Sequence, residues 1–271
     1  MSKIERGVAL VTGASSGIGL VTAQALQHAG YRVFGTSRKP RPATPDGVVM
    51  LVCDVTDDES VRSVVDDILA RAGRIDLLVN NAGIGLLGAA EESSAAQAKT
   101  LFDVNLFGVL RMTNAILPVM RRQRKGRIIN MSSILGLIPA PFNALYASTK
   151  HAIEGYSESL DHEVRTHGIR VVLVEPGVTR TPFEENLTRP DGPLPVYDKV
   201  RTDAEKLMRE IVETGDAPEV VAAIVVKAAN AASPKRRYTA GKAAGQIRFI
   251  RRFLPESFVD KNLRKFNRLP A

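Results

Sequence analysis

The sequence predicts an α/β fold built on one doubly wound parallel sheet of about seven strands, with helices on both faces. Three observations predict it. Short apolar runs alternate with helical patterns along the chain, and the first run ends in a glycine-rich loop that opens a helix. The polar clusters that follow the runs would all fall at the carboxyl edge of such a sheet, where open α/β sheets bind their ligands. At 271 residues and 44% apolar content the chain suits one large domain, 1–271, and no shift in composition marks a second.

Val8 to Val11 is the first strand. It runs into Thr12-Gly13-Ala14-Ser15-Ser16-Gly17-Ile18-Gly19, and Leu20 to Ala29 reads as a helix stopped by Gly30. Strand, glycine loop and helix make a phosphate-binding arrangement: glycines let the backbone turn and approach a pyrophosphate, and unpaired amides at the helix start favour the anion. The spacing is G-x-x-x-G-x-G, unlike the commoner G-x-G-x-x-G. Arg32 to Thr36 is the second strand, followed by Ser37, Arg38 and Lys39. A carboxylate at this place would bond the ribose hydroxyls of NAD, whereas a basic side chain pairs with the 2′-phosphate of NADP. The acid is absent and Arg38 is present; the alternative is a solvated basic loop ahead of Pro40 and Pro42.

Val48 to Cys53 is the third strand, with a helix from about Thr56–Asp58 to Ala72 after it. Between them, Asp54 either accepts from an adenine amino group or caps the turn. Leu77 to Val79 is the fourth strand, entering Asn80-Asn81-Ala82-Gly83. One long helix is expected from Ala95 to Arg122, with Asn105 beside a broad apolar face that includes Leu101, Val104, Ile116 and Met120. Arg127 to Met131, the fifth strand, delivers Ser132-Ser133 to the carboxyl edge. Residues 182–215 are polar and proline-bearing, with a helical pattern around Ala204 to Ile211. Asp216 is the expected N-cap of a helix to about Ala231, and Arg237 to Ala240 is the expected last strand.

Net charge is +8, unevenly placed. From Pro234 onward eleven basic residues face two acidic ones, so the rest of the chain is near neutral, and no nucleic-acid role is expected for the domain. The basic extension over about 241–271 interleaves Phe and Leu with Arg and Lys. It is read first as an amphipathic helix docked over a cleft or a second subunit, and second as a weak contact with an anionic membrane surface. The lone Cys53 allows no intrachain disulfide and reads as an inert strand residue. The histidines form no metal-ligand pattern, no apolar run reaches a membrane span, and a cytoplasmic location is the expectation.

Tyr146 and Lys150, four residues apart, share one helix face, so an acidic hydroxyl and an ammonium can meet. Taken together, Thr12-Gly13-x-x-x-Gly17-x-Gly19, Asn80-Asn81-Ala82-Gly83, Asn105, Ser133, Tyr146-x-x-x-Lys150 and Pro176-Gly177-x-x-x-Thr181 resemble the short-chain dehydrogenase/reductase family. Order and spacing agree over about residues 7–181, in the compact single-domain, Rossmann-type branch. The resemblance implies an NAD(P)-dependent alcohol or ketone oxidoreductase with Asn105, Ser133, Tyr146 and Lys150 as its catalytic group.

In that resemblance Tyr146 exchanges a proton with the substrate oxygen, and Lys150 lowers the phenol's pKa and binds the nicotinamide ribose. Ser133 hydrogen-bonds the substrate oxygen, and Asn105 holds a water between Lys150 and solvent. Gly13, Ser15, Ser16, Gly17, Ile18 and Gly19 line the pyrophosphate and adenosine, with Arg38 and Ser15 on the 2′-phosphate. Asp54 and Val55 fix adenine, Asn81, Ala82 and Gly83 the adenine-side ribose, and Pro176, Thr179 and Thr181 the nicotinamide end. NADP(H) is the expected cofactor, with NAD(H) the alternative.

A Val-Asp-Gly-Gly ending, which packs a tetramer interface in many bacterial members, is missing after Ala240. The tail is more similar to the hydroxysteroid and retinol dehydrogenase side of the family, which implies a hydrophobic secondary alcohol or ketone as the small-molecule substrate. A homodimer or homotetramer is expected. Two alternatives stand beside this: an NAD-preferring dehydrogenase of a polar substrate, and a non-catalytic dinucleotide-sensing protein on the same fold. Loss of Ser133, Tyr146 or Lys150 would have favoured the sensor, and all three are present.

Overall fold

The strands read as near-continuous Val, Ile and Leu runs because both of their faces are covered. In the computed structural model, which describes residues 6–183 and 187–269, they are β1 (Gly7–Val11), β2 (Tyr31–Ser37), β3 (Val49–Val52), β4 (Leu77–Asn80), β5 (Gly126–Met131), β6 (Ile169–Pro176) and β7 (Arg237–Ala240). They form one sheet in the order β3-β2-β1-β4-β5-β6-β7, and each neighbouring pair is parallel. The order reverses between β1 and β4, which opens a crevice at their carboxyl ends.

Alternation along each strand sends side chains into two apolar layers. Val8 and Leu10 of β1 and Ile128 of β5 pack with α2 (Asp58–Ala72), α4 (Gly108–Gln123) and the end of α5 (Ala144–Val164). Ala9, Val11 and Ile129 pack on the opposite side with α1 (Gly17–His28) and α7 (Pro218–Asn230). Leu10, Leu78, Ile128 and Ile129 are fully buried, so the sheet centre is the most desolvated part of the fold. A polar row crosses it: Asn80 Nδ2 donates to Asn130 Oδ1 at 2.9 Å, and Asn130 Nδ2 donates to Ser157 Oγ at 2.8 Å.

Several expected boundaries move, each for a physical reason. Helix α1 starts at Gly17 instead of Leu20, so the last two glycines of the loop already belong to its first turn. The long helix expected from Ala95 to Arg122 is α3 (Ala95–Phe102) and α4 separated by a π-helical segment, Asp103–Phe107, which holds the buried Asn105. Such segments add a residue to the helical ladder and recur at functional sites.

Asp216 does not cap α7. Ala217 occupies that position and Pro218 opens the helix, its missing N–H removing one of the amides that a helix start leaves unpaired. The Asp216 backbone instead pairs with the chain leaving β6, through Arg180 N to Asp216 O at 2.9 Å and Asp216 N to Val178 O at 3.0 Å. Cys53 lies just beyond β3 and is buried, and burial pushes its thiol up to about 11.

The sequence reading singled out no strand over Ile169–Pro176, which the structure forms as β6. Within the 182–215 stretch, helix α6 (Asp198–Glu213) is longer than its charged centre suggested, and residues 184–186 lie outside the described residues. The basic extension is two helices, α8 (Lys242–Phe253) and α9 (Glu256–Phe266), broken at Leu254-Pro255. Among the described residues no helix is long and apolar enough to cross a membrane.

Candidate active site

Thr12, at the end of β1, ties the two loops that flank the crevice. Its Oγ1 accepts from the backbone N–H of Asn81 and of Ala82, each at 3.0 Å. Asn81 Nδ2 returns the contact, donating to the carbonyls of Thr12 at 3.0 Å and Gly13 at 3.2 Å. Gly13 has φ +65°, and a Cβ there would come within 2.9 Å of the Ala82 Cα. A Cβ on Gly19 would land on the Gly13 carbonyl and the Asn81 amide. The loop is thus held so tightly that only hydrogen fits on its inner side. Ser16 is the exposed, extended N-cap of α1 and makes no side-chain cap bond, so the helix start stays open to an anion. Ser15, Gly17 and Ile18 flank it, half-buried. This cradle fits a dinucleotide pyrophosphate.

Toward the adenosine end, Arg38 stands exposed just past β2 and forms no ion pair among the described residues. Asp54 Oδ1 accepts from Thr56 N at 2.9 Å and Thr56 Oγ1 at 2.7 Å, so one carboxylate oxygen does cap the turn. Those two bonds hold its carboxyl below the ordinary range, with smaller help from the Arg38 and Arg111 charges. Val55 is buried beside it. Because the Asn81 amide is engaged with the glycine loop, the surface that this segment offers to a ribose is that of Ala82 and Gly83. At the other end Pro176 closes β6, Thr179 Oγ1 donates to the Gly177 carbonyl at 3.1 Å, and the Thr181 Cβ would lie 3.3 Å from a Cβ on Gly17. Thr181 therefore overhangs the loop from the far side of the crevice.

Ser133, Tyr146 and Lys150 meet at the carboxyl ends of β5 and β6. Ser133 Oγ accepts from Leu135 N at 3.1 Å, which leaves its hydrogen for the Tyr146 phenol. Burial pushes that phenol up to about 12, partly offset by the Ser133 bond. The Lys150 ammonium is buried, donates to the Met131 carbonyl at 2.9 Å and lies 5.5 Å from the Tyr146 ring centroid. Burial lowers it to about 8 against an opposing pull from Glu154. In this geometry the ammonium, one helical turn along α5 from the phenol, directs its hydrogen bond to the Met131 carbonyl. Asn105 is likewise committed: its Oδ1 accepts from Ile84 N at 2.8 Å, and its Nδ2 donates to Ile84 O at 2.9 Å and Thr149 Oγ1 at 3.2 Å. It fastens α5 to the loop after β4 next to Lys150.

Residues that the sequence reading passed over shape the cleft. The Phe183 ring lies 6.0 Å from that of Tyr146, and a Cβ on Gly85 would meet Phe183 and Leu187, so the wall above the phenol is apolar. Glu92, fully buried, pairs with Arg201 of α6 and accepts from Leu194 N at 2.9 Å and Ala89 N at 3.0 Å. Behind Lys150, Glu154 and the fully buried Glu175 share Arg237, at 2.7 Å and 3.2 Å. Neither carboxylate follows a recognisable motif; the only cue is an acid in an apolar run at Val174-Glu175-Pro176. Among the described residues no cluster of His, Cys, Asp and Glu could hold a metal.

Known proteins share this fold. The model of the short chain dehydrogenase family matches residues 7–192. The chain is 38% identical to 3-ketodihydrosphingosine reductase of Bacteroides thetaiotaomicron, over 96% of this chain and 97% of that one. Retinol dehydrogenase 8 of Bos taurus is 36% identical, over 84% and 79%. A short-chain dehydrogenase from Streptomyces avermitilis superposes with a TM-score of 0.82 at 34% identity, covering 99% and 98% of the two chains. Structures solved with nucleotide include a 3-ketoacyl-(acyl-carrier-protein) reductase from Brucella melitensis with NADH (TM-score 0.76, 25% identity, 89% and 99% covered). A metagenomic short-chain oxidoreductase with NADP gives a TM-score of 0.70 at 28% identity, with 88% and 98% covered. With the glycine cradle and the Ser133-Tyr146-Lys150 group on its crevice, this chain belongs to the short-chain dehydrogenase/reductase family, as an NAD(P)-dependent oxidoreductase of alcohol and ketone groups.

Proposed function

We propose that the protein is an NADP(H)-dependent oxidoreductase that interconverts a hydrophobic secondary alcohol and its ketone. The observation that carries the chemistry is the Ser133-Tyr146-Lys150 group, half-buried at Ser133 and Tyr146 where the crevice reaches them and buried at Lys150. A phenol pushed up to about 12 holds its proton at neutral pH, as a general acid for carbonyl reduction must. When bound, the nicotinamide supplies or accepts the hydride. Ser133 orients the substrate oxygen, Tyr146 gives that oxygen its proton or takes it back, and the Lys150 ammonium stabilises the phenolate left behind. With Lys150 lowered to about 8, its charge is present at neutral pH and fades above that value.

The cofactor reading rests on Arg38, free at the end of β2 where no carboxylate competes for the ribose. The substrate reading rests on the apolar wall of Phe183 and Leu187 over Gly85. Relatives named for a ketosphingoid and for retinol point the same way.

The decisive test is Tyr146→Phe, assayed with NADPH and a panel of ketones running from sugars to long-chain and steroid ketones. Turnover is expected to fall by about 10²–10⁴-fold. NADPH binding, followed by nucleotide fluorescence, should stay near that of the wild type. Full residual turnover would refute the role of Tyr146, and a purely polar substrate profile would refute the apolar assignment.

A further inference from the structure

The C-terminal helices expose more apolar surface than a solvated segment needs. Phe249, Phe253, Leu254, Phe258 and Phe266 are 36–64% exposed, and they gather within 18 residues nearly half of the large apolar side chains exposed among the described residues. Phe249 and Phe253, one turn apart on α8, pack with tilted rings whose centroids are 4.9 Å apart, and the Arg252 guanidinium lies 5.7 Å from the Phe253 ring centre. On α9, Lys261 and Lys265 are exposed and form no ion pair among the described residues. Aromatic rings with basic side chains around them, on exposed helices, suit the boundary between headgroups and acyl chains.

We propose that α8 and α9 form a docking surface for an anionic lipid bilayer. Charge selects this occupant. Residues 242–266, which make up the two helices, carry seven basic and two acidic side chains, so two copies meeting through this face would set like charges against each other, whereas anionic headgroups neutralise them. The two helices are seated on the rest of the molecule. Arg248 of α8 reaches Glu175 at 3.8 Å, Arg268 after α9 pairs with Glu210 of α6 at 2.6 Å, and Val259 is buried. Leu263 and Arg264 of α9 face Pro141, Ala144 and Ser148 across a cavity of about 520 Å³, so the docked bilayer would border the start of the helix that carries Tyr146. The inference stands whether or not the substrate is lipophilic.

Flotation of the full chain with vesicles tests it. Wild-type protein is expected to float with phosphatidylcholine vesicles containing about 30% phosphatidylserine at about 0.1 M salt, and to remain unbound at about 0.5 M salt or with phosphatidylcholine alone. The double variant Phe249→Ser/Phe253→Ser should partition at least about tenfold more weakly. Lys261→Glu/Lys265→Glu should weaken binding to anionic vesicles by a similar factor. Melting temperatures of both variants, at exposed positions, should stay within about 2 °C of the wild type, which separates lost docking from misfolding. Absence of wild-type flotation, equal flotation on neutral vesicles, or unchanged binding by both variants would overturn the proposal. So would a wild-type dimer that the phenylalanine variant splits into monomers in sedimentation without any vesicle binding, because the face would then be a contact between copies.

Discussion

Burial moves Tyr146 and Lys150 in opposite directions, since it disfavours the phenolate of one and the ammonium of the other. At neutral pH both therefore keep their protons, and the site stands loaded as an acid. Spacing in the sequence was enough to bring these two together, and the strand end before Ser133 was enough to add the third group. Thr12 was less legible. Its hydroxyl accepts two backbone amides from the segment after β4, and a threonine in a loop has no periodic signature to announce such a bond. Arg38 belongs to this scale too. An exposed guanidinium that forms no ion pair among the described residues is open to a 2′-phosphate, so Arg38→Ala should raise the dissociation constant for NADPH about tenfold or more while leaving that for NADH nearly unchanged. Parallel fluorescence titrations with the two nucleotides measure this; equal losses would refute the phosphate contact.

Individual elements were legible where pattern and packing agree. β1 to β5 lie within a residue or two of the apolar runs that announced them. β6 went unassigned although Val171 to Val174 is plainly apolar. The cover of the cleft was the least legible part, since its bonds join segments a hundred residues apart. Glu92 reaches Leu194 and Arg201, Ser94 reaches Asp191, and Gln97 Nε2 donates to the Arg189 carbonyl at 2.7 Å. These contacts latch the 187–201 stretch onto α3 and the turn before it. Glu92→Gln keeps the shape but removes the charge, and should speed proteolytic cleavage between 187 and 201 by about tenfold under conditions where cleavage reports the open population. Mass spectrometry of timed digests checks it; wild-type cleavage rates would show that Glu92 is no latch.

For the molecule as a whole, the junction of β6, β7, α5 and α8 sets a pH dependence. Glu175 is fully buried and is pushed up to about 7 by burial and by the Glu154 charge, against the pull of Arg248 and Arg237. Because its folded value lies above the ordinary one, folding takes up a proton here. The associated stability is complete below about pH 4.5 and is lost as pH rises through about 7, to a limit of about 3 kcal/mol. Glu175→Gln removes that titration, so its melting temperature relative to the wild type should rise between pH 5 and pH 8. A difference that stays flat across this range, in thermal melts at both values, would count against it.

The π-helical segment at Asp103–Phe107 has a consequence of the same reach. One residue adds about 100° of rotation to a helix, so the wheel on which α3 is drawn cannot be continued into α4. That angular offset lets a single length of chain serve two masters: Ser94 and Gln97 at its start turn to the cover of the cleft, while Met112, Ile116 and Met120 further on turn to the sheet. Asn105 lies at the point where the two directions change over.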